Sequence, residues 1–292
     1  MIIRNTPSLR QASSNRTLSR LRAELDRQTE VATSGLEVLD PSDAPGEWQQ
    51  LHGLQESLDN QDVYLTNARN AKATLDTLDS ALAGASDVLV RAHELAVQLS
   101  SEIYTDSDRD TAAFEVDLLK DQLIAQANTR HDDRYLFAGT AYDGRAFDDA
   151  GVYLGTNDQT TTQTGDHHDI PIGYDGAAVF SDAIGLLTDL GAALRSGPGS
   201  AGATAATLDP LAAGHDAMVI SRQRAGHAHV DAQDAEELAL NLTRNLQDSL
   251  NARAAADPIS ALTKLAELQT AYETALQVTA QTSSSNLFEY LR

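Results

Sequence analysis

The chain has eight histidines and forty-three acidic residues but no cysteine. Any chemistry it does must therefore come from His, Asp, Glu or hydroxyl side chains. Three places have the residue types for it. His167-His168-Asp169 could bind a metal, but neighbouring residues on a strand point to opposite faces, which is poor chelate geometry. His227 and His229 lie two apart on a helical stretch, so they share no face, and HEXXH spacing is absent. Asp143, Asp148 and Asp149 are loop acids without the DxDxDG order of a calcium loop. There is no GxSxG, no phosphate-binding loop and no dinucleotide fingerprint. The readings favoured are a solvated turn, a helix surface and a loop. The sequence thus predicts no enzyme, no cofactor and no metal.

Composition bears on architecture instead. The 292 residues are 41% hydrophobic but only 5% aromatic, which suits thin helical bundles better than one thick core. A net charge of −22 argues against nucleic acid or an anionic membrane as partner, because like charges repel. It also sets identical subunits against one another, so self-association needs apolar stripes or salt. No run approaches the eighteen apolar residues of a membrane span. The absence of cysteine excludes disulfides and fits an exported protein. Residues 1–23 are the exception in charge, with five arginines and no acid.

The elements follow from hydrophobic spacing. Leu18, Leu21 and Leu25, continued by Gln28 and Ala32, mark a coiled-coil seam in a first arm, residues 1–45. The stripe is too thin to fold alone. Pro41–Gly46 breaks the helix. A helix from Glu47 to Ile103 would be roughly 85 Å long at 1.5 Å per residue. Its seam runs through Leu65, Ala68, Lys72 and Leu75, then slips by three residues at Leu78, a stammer. A turn at Thr105–Asp108 leads to a second helix, completing a rod over 46–140. Residues 141–215 read as a variable, β-rich insertion projecting from the rod and dispensable for assembly. Its strand candidates are Val152–Leu154, Thr160–Gln163 and Ile170–Tyr174. Ser181–Arg195 is a short helix candidate, and Ser196–Thr207 reads as a flexible linker. Helix returns over 216–256, its clearest stripe being Leu238, Leu242, Leu246 and Leu250. Asp257-Pro258 breaks it. A second arm, 257–292, carries a seam of Leu262, Leu265, Gln269, Tyr272, Leu276 and Thr279. The fold class is mainly α: a long antiparallel bundle or coiled-coil rod drawn from both termini, with a small β-rich insertion in the middle.

Arg134-Tyr135-Leu136-Phe137-Ala138-Gly139-Thr140 resembles the RYLFAGT signature of flagellin-like hook-associated proteins. Ser34-Gly35 with Pro41–Gly46 is similar to that family's SG…PSDDP loop, with Ala44 replacing an acid and Glu37-Val38 standing where Arg-Ile is usual. Gln269–Leu291 resembles the terminus of the members at the hook–filament junction. Residues 141–215 carry little of the resemblance beyond position.

The resemblance implies a secreted structural component of the bacterial flagellum. It implies export unfolded, with a flagellar export chaperone on the C-terminal arm. It implies a ring of identical subunits on the first hook-associated protein, presenting a surface to flagellin, with arms that become helical on assembly. The assembly interface expected on this basis comprises Leu18, Leu21, Leu25, Leu262, Leu265, Tyr272, Leu276, Leu287, Tyr290 and Leu291. Two other readings stay open. One is flagellin itself. The other is a soluble coiled-coil scaffold whose Arg-rich start is a transit peptide.

Overall fold

A computed structural model describes residues 7–38 and 44–290, with side chains described over 11–38 and 44–281. Seven α-helices and two short hairpins follow in order: α1 (Pro7–Ser34), α2 (Pro45–Leu99), α3 (Asp106–Ala127), β1 (Arg130–His131), β2 (Arg134–Tyr135), β3 (Thr161–Gly165), β4 (His168–Pro171), α4 (Asp182–Leu194), α5 (Ser200–Ala205), α6 (Leu208–Ala254) and α7 (Pro258–Tyr290). Two compact units result. One takes residues 60–243; the other takes 1–59 together with 244–292.

The helix starts follow proline and cap chemistry. α2 and α7 both begin on proline, whose missing N–H costs nothing in a first turn. α2 therefore starts two residues before the expected Glu47. Asp257 caps α7, accepting from Ile259 N at 3.1 Å and Ser260 Oγ at 2.8 Å. Those bonds, Ser260 first, hold its carboxyl below the usual carboxylate range. α3 opens with a capping box, in which Thr105 N donates to Asp108 Oδ2 at 2.9 Å and Thr105 Oγ1 accepts from Asp108 N. α6 starts at Leu208, eight residues before the expected 216, because Pro210 falls within its first turn.

In the unit of residues 60–243, α2 and α6 run antiparallel. Arg69 and Lys72 meet Glu236, Asp76 meets His229, and Asp79 meets Arg222. The buried face of α2 is Ala68, Ala71, Leu75, Leu78, Leu82, Ala85, Leu89, Ala92, Ala96 and Leu99. The helix is continuous, but the three-residue slip sits at Ala68–Ala71, not at Leu75–Leu78. Lys72 keeps its ammonium 2.8 Å from Glu236, and the neighbouring alanine is buried in its place. The face that α6 buries is Leu211, Met218, Ala225, Ala228, Ala232, Ala235 and Ala239. Of the stripe read from the sequence, Leu238 and Leu242 are exposed, while Leu246 and Leu250 are half-buried. Small side chains let two helices approach closely, so here alanine marks the contact better than leucine.

Residues 141–215 are not a separate projection. Phe147, Phe180, Ile184, Leu187 and Leu190 share one core with α2 and α3. The strand content is the β3–β4 hairpin, paired from Thr161↔Pro171 to Gly165↔His168. Val152–Leu154 contributes a single bridge, Phe147↔Tyr153. The expected linker 196–207 is folded: it holds α5, with Ser200 and Thr204 buried. Residues 177–194, a π-helical turn running into α4, are long and apolar enough to cross a membrane by composition. This corrects the expectation that no run approaches that length. The stretch carries Asp182 and Asp189 and packs its apolar face into the core.

Arg109 holds the α2–α3 turn. It is 5% exposed, and its guanidinium donates to Leu99 O at 3.2 Å and Ser101 O at 2.8 Å. Leu99 O belongs to the last turn of α2, where no helical N–H remains to reach it, and Ser101 O lies just beyond, with only a long 3.5 Å bond from Tyr104 N besides. Arg109→Met keeps the stem and removes both donors. The expected loss is about 3 kcal/mol, at ~1.5 kcal/mol for each bond from a charged donor. Denaturant unfolding of the two proteins measures it; a change below about 0.5 kcal/mol means solvent serves the carbonyls equally well.

Candidate functional site

The signature stretch is the first candidate, and its residues serve structure. Asp132 and Asp133 have φ of 46° and 64°, the two left-handed positions of a two-residue hairpin loop between β1 and β2. Arg130 lies over the Tyr135 ring and Arg134 over Tyr142. Phe137 is fully buried and meets Phe180 edge-on at 4.7 Å. The backbone on either side binds the insertion. Tyr174 N donates to Leu136 O, Gly176 N to Phe137 O and Thr156 N to Ala138 O. Asn128 adds a two-way amide clamp on Phe147, donating to its carbonyl at 2.9 Å and accepting from its N–H at 3.0 Å. Gly139 has φ +64°, and a Cβ there would stand 2.1 Å from Thr156 O.

The candidate chemical residues are occupied separately. Asp148 Oδ1 accepts from Ala150 N and Val152 N, closing its own loop. Asp149 pairs with Arg145. His168 Nδ1 is 2.8 Å from Thr164 Oγ1, while His229 reaches Asp76 at 3.1 Å. Among the described residues, no three His, Asp or Glu side chains converge as metal ligands.

The second candidate is the paired arms, in the unit of residues 1–59 and 244–292. α1 and α7 pack against each other. Gln28 Nε2 donates to Ala261 O, and Ser13–Thr17 lies beside Thr270–Thr279, so the pair is antiparallel. The segments between helices are stitched by Glu37 N to Ala254 O at 2.8 Å and Ala256 N to Gly35 O at 2.9 Å. Gly35, at φ +71°, permits the turn out of α1. Burial is thin: Val31, Val38, Ala254 and Ala261 are enclosed.

The expected interface residues divide. Leu18, Leu21 and Leu25 are half-buried along one face of α1. Leu265 and Tyr272 are half-buried on α7, with Ala261, Leu268, Ala275 and Thr279 on the same face. Leu262 and Leu276 stand outside that seam, 59% and 42% exposed. With Gln269 between them they form a heptad-spaced row, one position round the helix. The seam read from sequence merged two rows; here one is covered by α1 and the other is open. Near its other end the pair leaves a groove of about 990 Å³, walled by small residues such as Ser14, Thr17, Ala271 and Thr274. The side chains of Leu287 and Tyr290, and all of Leu291, lie outside the described residues.

With this geometry in view, the likeness to known proteins is specific. Residues 5–142 match the bacterial flagellin N-terminal helical region. Flagellar hook-associated protein 3 of Escherichia coli (strain K12) is 25% identical over 238 residues, 81% of this chain and 72% of that one. Flagellar hook-associated protein 3 of Salmonella typhimurium is 29% identical over 161 residues, 54% of this chain and about half (51%) of its own length. The crystal structure of Bacillus cereus FlgL superposes with a TM-score of 0.55 at 20% identity, covering 63% of this chain and 98% of that one.

Two measurements test the signature stretch. Gly139→Ala forces a left-handed alanine, at about 1–2 kcal/mol, onto a backbone carbonyl, so thermal unfolding should begin at lower temperature. An unchanged melt would refute the close approach. Tyr153 donates to Thr156 O at 2.7 Å. Burial, and then the Asp175 carboxylate, push its hydroxyl up to about 12. A raised value means that the contribution is complete below the unfolded value of about 10 and fades as pH climbs through the folded one. Relative to Tyr153→Phe, the wild-type chain should lose stability between pH 10 and 12. Parallel pH profiles for the two proteins would contradict this.

Proposed function

We propose that this chain, which belongs with the flagellin-like hook-associated proteins, joins the hook of the bacterial flagellum to its filament. Its work is mechanical, not catalytic. The flagellar setting is supported by the likeness across 81% of the chain. Flagellin is the weaker alternative, since both curated relatives bear hook-associated names.

The observation that carries the assembly role is the open row Leu262–Gln269–Leu276 beside a seam already filled by α1. An isolated two-helix pair with apolar residues left outside is an incomplete bundle. We assign the missing layer to neighbouring subunits in a ring, with arms 1–45 and 257–292 forming the contact zone and 46–256 its support. Leu18, Leu21, Leu25, Leu265 and Tyr272 set the pair's geometry, while Leu262 and Leu276 meet the neighbour. The adjoining surfaces of the ring fit the first hook-associated protein on one side and flagellin on the other. An export chaperone holding the C-terminal arm would cover the same open row before assembly, keeping it from other copies.

A deletion strain tests the reading. Hooks should remain without filaments; normal filaments would sink it. Two leucines then separate arm from support. Leu276 is 42% exposed and Leu89 is fully buried. Leu276→Ala should leave the monomer's thermal melt in place yet abolish filament attachment. Leu89→Ala should cost about 2–5 kcal/mol of monomer stability. Equal melting losses in the two variants would mean that Leu276 belongs to the folded interior and not to a contact surface.

A further inference from the structure

A second surface, in the unit of residues 60–243, has apolar side chains without cover. Leu238 and Leu242 on α6 are 60% and 39% exposed and stand one turn apart. They face a groove of about 510 Å³, closed on its other sides by Tyr64 of α2 and by the β3–β4 turn. Its charged rim is acidic: Asp231, Asp234 and Asp166. Among the described residues none of the three has a salt-bridge partner; Asp166 accepts only the Tyr64 hydroxyl, at 3.2 Å. An apolar floor inside a carboxylate rim suits a helix bearing arginines. The guanidinium heads can meet the rim while the methylene stems lie on the leucines.

The chain carries one segment of that chemistry. Residues 1–23 hold five arginines and no acid in a protein of net charge −22. On α1, Leu18 and Leu21 are half-buried on the face toward α7. Arg16 and Arg20, one turn apart, fall on the opposite side. Both are exposed, and among the described residues neither has an ion pair. In a chain of net charge −22, this basic strip offers an acidic rim on another copy a favourable partner.

We propose that the Leu238–Leu242 groove receives the arginine face of α1 from a second copy of this chain. The contact is additional to the open row of α7 and rests on the reading that the chain assembles with itself. It links each subunit's arm to a neighbour's support, and it weakens as salt screens the rim.

The test uses whole flagella. A chain with Leu238→p-benzoylphenylalanine is expressed in the deletion strain, and isolated flagella are irradiated. The expected product has twice the mass of the chain, with the attached peptide mapping to residues 11–24. An adduct to another protein overturns the proposal. So does an adduct to a different segment, or no adduct while the chain is present in the flagella. Wild-type chain absent from flagella would instead refute the assembly reading, and this proposal with it. Arg16→Glu with Arg20→Glu should lower adduct yield per incorporated chain at least tenfold. Adding Asp231→Arg with Asp234→Arg should restore it. Circular dichroism confirms that these exposed substitutions leave the helices intact, and failure of the swap to restore the adduct in folded chains counts against the groove.

Discussion

A helical chain that leaves its bundle must come back in register, and the contact of Phe137 with Phe180 makes that return possible. Phe137 ends the outward path of α3; Phe180 opens the way into α4. Their edge-on packing closes a stretch of more than forty residues. The backbone between them is then tied down by hydrogen bonds from Asn128, Thr156 and Gly176 to residues well separated in the chain. If the aromatic contact were loose, α4 would lose its seat on α3, and the start of α6 would lose the segment that positions it.

Much of this was legible in the residues. Pro258 marked the start of α7, the break at Pro41–Gly46 placed the start of α2 to within two residues, and leucine spacing located the buried face of α2 from Leu75 onward. The signature stretch was recognisable because its residues are held by several constraints at once: a left-handed glycine, a buried aromatic, a paired backbone. What was not legible has a common cause. Periodicity identifies an amphipathic face but not which neighbour covers it. On α7, rows at 262 and 265 both read as seam, and only the packing of α1 separates them. On α6, alanines carry the contact while the more conspicuous leucines remain outside. Arg109 gave no signal, since a buried arginine serving a helix end has the same one-letter appearance as an exposed one.

The two faces that the sequence misassigned have something in common. Leu262 and Leu276, like Leu238 and Leu242, are large apolar residues at regular helical spacing that the folded chain does not use. A monomer gains nothing from them and risks nonspecific association. Their retention makes sense when the folding unit and the working unit differ in size, so that a face idle in one copy is interior in the assembly.

The alanine face of α6 has a thermal consequence. Alanine brings little apolar area into contact while the backbone beside it brings polar area, and these two alter the heat capacity of unfolding in opposite directions. That face alone therefore adds little to the heat-capacity change of unfolding, most of which comes from the buried leucines and phenylalanines of the same core.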